Sequence, residues 1–395
     1  MKDGIRHHMN RIVAIDFFCG AGGMTNGLIR SGMHVLAGVD NEPLCEPTYR
    51  QNKNVDGSVP EFICRDIFPK TAEYPNGQQE LLARRIEVLL REYKRQTSLR
   101  KLKLVFAVCA PCQPFSKITK IEMSDPRKFK RINDMNLLLT TIGLIRRFRP
   151  QVVICENVEG IGKGDESVLA TFESRLKRNG YSFDAKVINS AKFGVPQNRK
   201  RTIGIGFDRT AHGELPEVMT EDASLRKFVS VREVIGNLPP IAAGEVHPTI
   251  PNHRARSLSE LNLKRISCAP PGESNHYLLN TPYGDLSLNC HRNLATRNGK
   301  MSFSDTYTRI HGDDVGPTIT TKFISITNGR FGHFDVKQNR ALSPREAALL
   351  QTFPQKYVFY PEDNLEFTAT LIGNAVPPRL SEFFGRYIMG QLIKG

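Results

Sequence analysis

Four groups of residues in this 395-residue chain carry side chains that could act together chemically. The first is Asp16-Phe17-Phe18-Cys19-Gly20-Ala21-Gly22-Gly23, followed further on by Asp40. Glycines in such a turn let the backbone approach a ligand closely, and a carboxylate at that remove suits ribose hydroxyls. A dinucleotide fingerprint needs a third glycine where Thr25 stands, so a smaller nucleoside-like cofactor without a pyrophosphate fits better than NAD. A purely structural turn would look the same in isolation. The second group is Ala110-Pro111-Cys112-Gln113-Pro114-Phe115-Ser116. A cysteine just beyond a strand, near a helix start and in basic surroundings, has a lowered pKa and becomes a nucleophile. Its competitors are a buried structural thiol and a redox pair with Cys109. The third, Cys155-Glu156-Asn157-Val158, ends a strand with a carboxylate that could donate a proton beside that cysteine. The fourth is Gly194-Val195-Pro196-Gln197-Asn198-Arg199-Lys200-Arg201, where Arg199 and Arg201 share a face if the segment is extended. Phosphate binding competes there with contact to a substrate.

These groups need a scaffold, and the first 208 residues supply an alternation of strands and helices. Strands are expected at Ile12–Phe17, Val35–Val39, Phe62–Arg65, Leu104–Cys109, Val152–Cys155 and Ile203–Phe207. Helices are expected at Met24–Ser31, Gln78–Arg95, Asn136–Phe148 and Val168–Asn179. Repeated units of this kind predict an α/β fold with a doubly wound, mainly parallel sheet. Ligands then sit at the carboxyl ends of the strands, where Gly20, Asp40, Asp66, Cys112 and Glu156 fall. Three such units precede Cys109 and Cys112, unlike a thioredoxin domain, which argues against the redox reading. Residues 209–340 are richer in Pro, Gly, Asn and His, with short strand candidates at Thr318–Thr321 and Phe323–Thr327. They predict a smaller, loop-rich second domain. Helical pattern returns at Ser343–Gln351 and Leu380–Ile393, so 1–208 and 341–395 are expected to form one domain around 209–340.

Composition narrows the partners. Fifty-five Lys and Arg against forty Asp and Glu leave a net charge of +15, which favours a polyanion. Residues 94–131 hold eleven basic side chains against Glu122 and Asp125, and residues 175–201 hold eight against Asp184. Both clusters flank the chemistry in sequence and are expected to contact phosphates. Apolar runs are too short to span a membrane, and no basic, apolar leader opens the chain. Eight scattered cysteines with a single Cys-x-x-Cys pair fit reduced thiols in a cytoplasm, and neither disulfides nor a zinc site.

In this order and spacing the motifs resemble the DNA cytosine-5 methyltransferase family of the bacterial modification type. The glycine-rich turn, Pro111-Cys112-Gln113-Pro114-Phe115-Ser116, Glu156-Asn157-Val158 and Gln197-Asn198-Arg199-Lys200-Arg201 are similar to its motifs. So are Arg340–Pro354 and Gly373-Asn374-Ala375-Val376-Pro377-Pro378, and the likeness covers nearly the whole chain. It implies a Rossmann-like, class I S-adenosylmethionine-dependent methyltransferase domain with a target recognition domain at 209–340. It also implies transfer of a methyl group to carbon 5 of a flipped cytosine in duplex DNA, releasing S-adenosylhomocysteine.

By the same resemblance Cys112 is the nucleophile, Glu156 protonates ring nitrogen 3, Arg201 holds the base and Arg199 supports its loop. Phe18, Gly20, Gly22, Asp40, Asn41, Asp66, Ile67, Pro111, Leu137, Asn374 and Ala375 would line the cofactor site. Gln113, Ser116, Lys117, Gln197, Thr320 and Arg330 would contact DNA, and no metal is implied. Asp40 replaces a commoner Glu, Asn41 a residue that is often aromatic, and Ala375 a hydroxyl residue. A monomer is expected, either in a restriction-modification system with a cognate restriction endonuclease acting separately or as an orphan methylase. The family's tRNA-methylating relatives carry a Cys-Phe-Thr signature in the variable region that is absent here. A DNA-binding regulator without catalysis would not need every one of these side chains.

Overall fold

In a computed structural model of the chain, residues 11–111, 125–162, 167–211, 213, 215–289 and 304–394 are described. Cys112, Gln113, Ser116 and Lys117 lie outside the described residues. Two compact units emerge. The first comprises the chain to Phe193, Lys200–Ala223 and Val376 onward, and the second comprises Gly194–Arg199 and Ser224–Ala375. These divisions fall elsewhere than the expected breaks at 208 and 341.

The first unit is built on seven strands: β1 (Ile12–Phe17), β2 (His34–Asp40), β3 (Glu61–Cys64), β4 (Lys103–Val108), β5 (Val152–Val158), β6 (Tyr181–Asn189) and β7 (Lys200–Asp208). They are arranged β3-β2-β1-β4-β5-β7-β6. The first five run parallel, and β7 is antiparallel to both β5 and β6. Central strands β1 and β4 are apolar along nearly their whole length, as a sheet covered on both faces requires. Helices α1 (Gly23–Arg30), α2 (Gln79–Thr97), α3 (Asp125–Phe148) and α4 (Val168–Arg178) connect the strands. A core of Val13, Ile15, Phe17, Phe106, Leu144, Val153 and Phe172 lies between sheet and helices.

Strand β6 has no counterpart among the expected elements. Its signal was nonetheless present: Tyr181, Phe183, Ala185 and Val187 alternate with Ser182, Asp184 and Lys186, the period of a strand. It forms one edge of the sheet, where one face stays wet and the apolar content is diluted.

In the second unit the expected strands Thr318–Thr321 and Phe323–Thr327 do not form. The apolar residues there are buried, Ile319, Phe323 and Ile324 within irregular chain and Ile326 at the start of a short 3-10 helix, Ile326–Asn328. The neighbouring ladder is only two residues long, Gly316–Pro317 against Gln197–Asn198. This pairing helps place Gly194–Arg199 in the second unit rather than the first. Helix α5 (Pro344–Leu350) starts with a capping box between Ser343 and Glu346, as its Ser-Pro-Arg-Glu opening predicts. Helix α6 (Leu365–Asn374) was not among the expected elements; Phe367, Thr368 and Thr370 near its middle weaken the helical pattern.

The first unit is completed by α7 (Pro378–Lys394), which packs on α1. Gly27 makes that contact possible, since a Cβ there would lie 2.0 Å from Ser381 Oγ and 2.4 Å from the Pro378 carbonyl. Close helix packing, assigned in a dinucleotide fingerprint to the position of Thr25, is here the task of Gly27.

Candidate active site

Strand direction gathers the site. All five parallel strands end on one edge of the sheet, bringing Phe18 and Gly20, Asp40, Asp66, Pro111 and Glu156 to that edge. The turn after β1 is bent by three left-handed residues: Phe18 at φ 60°, Gly20 at 47° and Gly22 at 78°. Glycine tolerates this conformation freely, whereas Phe18 must be held in it by its surroundings. Its ring packs against the core, which supplies that restraint. A Cβ on Gly20 would meet no atom within 4 Å, so the turn faces open space. Gly22 caps α1.

Carboxylates fix the turn from two sides. Asp40 Oδ2 accepts the Gly20 N–H at 2.9 Å and Oδ1 accepts the Glu42 N–H at 3.0 Å. Burial pushes the Asp40 carboxyl up, against those two hydrogen bonds. Beneath the turn, Asp16 Oδ2 accepts from the Thr25 N–H at 3.0 Å and the Thr25 hydroxyl at 2.7 Å. Full burial raises Asp16 to about 7 despite both bonds. This Asp16–Thr25 brace was not anticipated; a carboxylate inside an apolar strand, Ile-Val-Ala-Ile-Asp, was the available signal.

Asp66 is half-buried, with Oδ1 accepting the Phe68 N–H at 2.9 Å, and Ile67 is buried behind it. Asn41 is exposed and Leu137 is partly buried against the core. Together these residues offer carboxylate oxygens, an aromatic ring and a glycine opening on one sheet edge. Those are the features a nucleoside with hydroxyl and amino donors needs. Asn374 and Ala375 belong to the second unit, where Asn374 is exposed and Ala375 buried.

The reactive end lies between β4 and β5. Their register sets Val108 opposite Cys155, so the next residues, Cys109 and Glu156, stand side by side. Burial and the Glu156 carboxylate push the Cys109 thiol well up, which makes it unreactive. Asn157 Nδ2 donates to the Ala110 carbonyl at 3.1 Å, tying the end of β5 to the segment that leads through Pro111 to Cys112. The amide next to the strand-end carboxylate therefore acts as a clamp, a role its place in the motif did not reveal.

Glu156 is buried and pairs with Arg201, whose Nε lies 3.1 Å from Oε1. In the β5–β7 ladder Glu156 opposes Ile203 and Val158 opposes Arg201. The pair is thus a diagonal on one face of the sheet. Oε1 is close enough for attraction but outside hydrogen-bond geometry, and Arg201 donates otherwise to the Lys200 carbonyl at 2.7 Å.

Arg199 and Arg201 do not share a face. The Arg199 N–H bonds back to the Gln197 carbonyl at 3.0 Å, which breaks the extended run. Arg199 is buried in the second unit, where its terminal nitrogens donate to the carbonyls of Ile319, Gly373 and Ala375 at 3.0–3.2 Å. Gln197, expected at DNA, is fully buried and bonds to the Leu350 carbonyl, Gln351 and the Ile319 N–H. It holds its own loop instead of presenting an amide to solvent. Arg330 is half-buried, paired with Asp305 and bonded to the Gly272 carbonyl. Thr320 is exposed and its hydroxyl caps the Lys322 N–H at 3.2 Å.

Part of each basic cluster also needs correction. Strand β4 begins at Lys103 and β5 at Val152, so residues 94–103 and 175–178 lie at the amino edge of the sheet, away from Glu156. A strand of β4's length places the two edges about 20 Å apart. Closeness along the chain to the end of β4 did not mean closeness to it in space.

Among the described residues no group of His, Cys, Asp and Glu could hold a metal, and no helix is long and apolar enough to cross a membrane. The family described as C-5 cytosine-specific DNA methylase matches residues 87–390. The Type II methylase M.HgiDII of Herpetosiphon aurantiacus is 34% identical over 382 residues, covering 95% of this chain and 94% of its own. The Type II methyltransferase M1.HphI of Haemophilus parahaemolyticus is 30% identical over 385 residues, covering 95% and 86%. Among solved structures, an E. coli prophage protein described as a DNA modification methyltransferase superposes with a TM-score of 0.66 at 18% identity, covering 97% of this chain and 99% of that one. The Dnmt2 methyltransferase of S. pombe gives 0.55 at 15%, covering 97% and 98%. These last two likenesses bear on the fold.

Proposed function

The chain belongs to the C-5 cytosine-specific DNA methylase family and is a DNA cytosine-5 methyltransferase, and on that premise we propose how its residues divide the reaction. Carbon 5 of cytosine is too weak a nucleophile to take a methyl group directly. The Cys112 thiolate adds to carbon 6, forming a C–S bond and moving the ring electrons toward carbon 5. Glu156 donates a proton to ring nitrogen 3 and relieves the charge so created. Bound S-adenosylmethionine supplies the sulfonium methyl group that carbon 5 takes. A base takes the carbon 5 proton and the ring electrons expel the thiolate, breaking the C–S bond, while the proton on ring nitrogen 3 returns to Glu156 and the ring is restored. The target base must leave the duplex first, at a cost of a few kcal/mol.

What carries this reading is the β4–β5 junction. Glu156 stands beside Cys109, and Asn157 ties down Ala110, two residues before Cys112. Arg201, already beside Glu156, holds both that carboxylate and the base oxygen. Arg199 braces the loop. Phe18, Gly20, Gly22, Asp40, Asp66, Ile67, Pro111 and Leu137 line the cofactor site, and the family resemblance assigns Asn374 and Ala375 to cofactor binding as well. The open space in front of Gly20 and the carboxylates flanking it fit a nucleoside. We assign catalysis to the first unit and target reading to residues 209–340, including Thr320. Relatives that are Type II methyltransferases support a modification enzyme; we further propose that it works in a cytoplasm as a monomer, beside a separate endonuclease or as an orphan methylase.

The test is covalent trapping. DNA containing 5-fluorocytosine, with S-adenosylmethionine, should give an adduct that survives denaturation, because fluorine cannot leave as a proton does. Cys112→Ala should form none. A wild-type protein that methylates without forming the adduct would remove Cys112 from the mechanism. Running tRNA beside duplex DNA separates the two substrate classes.

A further inference from the structure

Part of the positive charge behind the net +15 lies away from the methyl-transfer site. At the amino edge of the sheet, five strand ends are linked in series. The Lys103 N–H bonds to the Arg11 carbonyl at 2.7 Å, and the Leu104 N–H to Gln151 Oε1 at 2.5 Å. The Asp208 N–H bonds to the Gln151 carbonyl, and the Arg209 N–H to the Gly180 carbonyl, both at 3.0 Å. This row spans β1, β4, β5, β7 and β6, about 19 Å at ordinary strand spacing.

Arg11, Arg100, Lys101, Arg146, Arg178 and Arg209 are all exposed along it. None of the six makes an ion pair with a described carboxylate, whereas Arg147, Arg149 and Lys177 nearby are paired with Glu80 and Glu87, Asp208 and Glu173. Helix C-termini attract basic residues for electrostatic reasons, which accounts for Arg146 and Arg178. Arg11, Arg100, Lys101 and Arg209 lie in connecting chain beyond any helix, so the dipole does not explain them. The carboxyl edge is different, with Asp40, Asp66 and Glu156 on it.

We propose that this amino edge is a second, sequence-independent binding surface for duplex DNA, which holds a stretch distant from the one being methylated. A duplex offers one phosphate per strand every 3.4 Å, so the row faces about six base pairs of backbone. The two edges are about 20 Å apart, the width of a duplex, so one straight helix seated at Glu156 does not also lie along Arg11 and Arg209. Any long DNA that carries a target brings other segments to this surface at high effective concentration. The surface therefore keeps the enzyme on one DNA molecule between targets.

The inference rests on the methyltransferase reading, and one preparation tests both separately. Wild-type protein is trapped on a 5-fluorocytosine fragment, so that its reactive site is filled, and the purified adduct is titrated with a short fluorescent duplex of random sequence. The adduct should bind this second duplex, more weakly as salt rises, and the triple variant Arg100→Glu, Lys101→Glu, Arg209→Glu should bind it about tenfold or more weakly. The same variant should form the adduct on short fragments at the wild-type rate, which also reports that it is folded. Absence of second-duplex binding by the wild-type adduct, or equal binding by the variant, overturns the inference. So does binding of a single-stranded RNA probe in preference to the duplex. Failure to form any adduct would instead count against the Cys112 mechanism.

Discussion

Two arginine–carboxylate pairs occupy the two units, and they are built in opposite ways. In the second unit Arg340 and Glu346 are fully buried and joined by two bonds of 2.8 and 2.7 Å. The other Arg340 donors go to the carbonyls of Ile241 and Ala341 and to Gln338, so all five guanidinium protons are used. Glu346 also accepts the Ser343 N–H at 2.8 Å and faces His333. Burial would raise its carboxyl, but Arg340 outweighs that and holds it well below the usual range. In the first unit Arg201 reaches Glu156 through a single bent contact and keeps donors free. A saturated pair can only hold structure; an unsaturated one has bonding capacity left for a substrate.

The sharpest way to break this contrast is to cut each pair. Glu346→Ala leaves Arg340 buried and charged without its partner, and should cost about 3–5 kcal/mol, read as a fall in the urea midpoint. Glu156→Gln should leave that midpoint within about 1 kcal/mol, since Arg201 can turn to water. The same change should slow methyl transfer by about 10²–10³, measured in single-turnover assays. If Glu156→Gln unfolds the protein as Glu346→Ala does, the two pairs are of one kind and the comparison fails.

A third buried carboxylate, Asp16, sharpens the point because it has no arginine and sits at about 7. A carboxyl raised in the folded state contributes stability that is complete below its ordinary value near 4. That contribution is lost as pH rises through about 7. Asp16→Asn should therefore gain on the wild type between pH 4 and pH 8 by about 4 kcal/mol, seen in paired denaturation curves. Arg201→Lys keeps the charge but loses the planar fork, and should reduce single-turnover rate by about tenfold without moving the urea midpoint. The smallest effect should come from Thr320→Ala on an exposed turn, within about 0.5 kcal/mol in stability. Target preference, read by mapping 5-methylcytosine, is where that change should show if Thr320 reads DNA.

Much of the first unit was legible because its strands are apolar runs closed by chemistry-bearing residues. β1 lies where the pattern placed it and Asp40 ends its strand as expected, whereas β5 runs on to Val158, so Glu156 lies within it, just past the last residue paired with β4. What failed was anything that depends on direction or on distant partners. Arg199 and Arg201 are two residues apart, yet a turn at Arg199 commits it to carbonyls 120 to 176 residues away. The basic clusters were counted along the chain, but a strand carries its two ends to opposite edges. Gln197 looked available because nothing local showed that Ile319, Leu350 and Gln351 would enclose it. In the second unit, buried apolar residues without ladder partners leave no period to read.

The contact between α1 and α7 has a consequence for how the protein is made. Ser381 bonds to the Gly23 carbonyl across 358 residues of chain. Ribosomes add about 5–20 residues per second, so α1 waits roughly 20 to 70 s for the helix that covers it. During that interval the apolar side of the first helix is an attractive target for chaperones or for neighbouring nascent chains. Slowing translation should lower the soluble yield, and supplying α7 early, by moving its coding segment ahead of β1, should restore it.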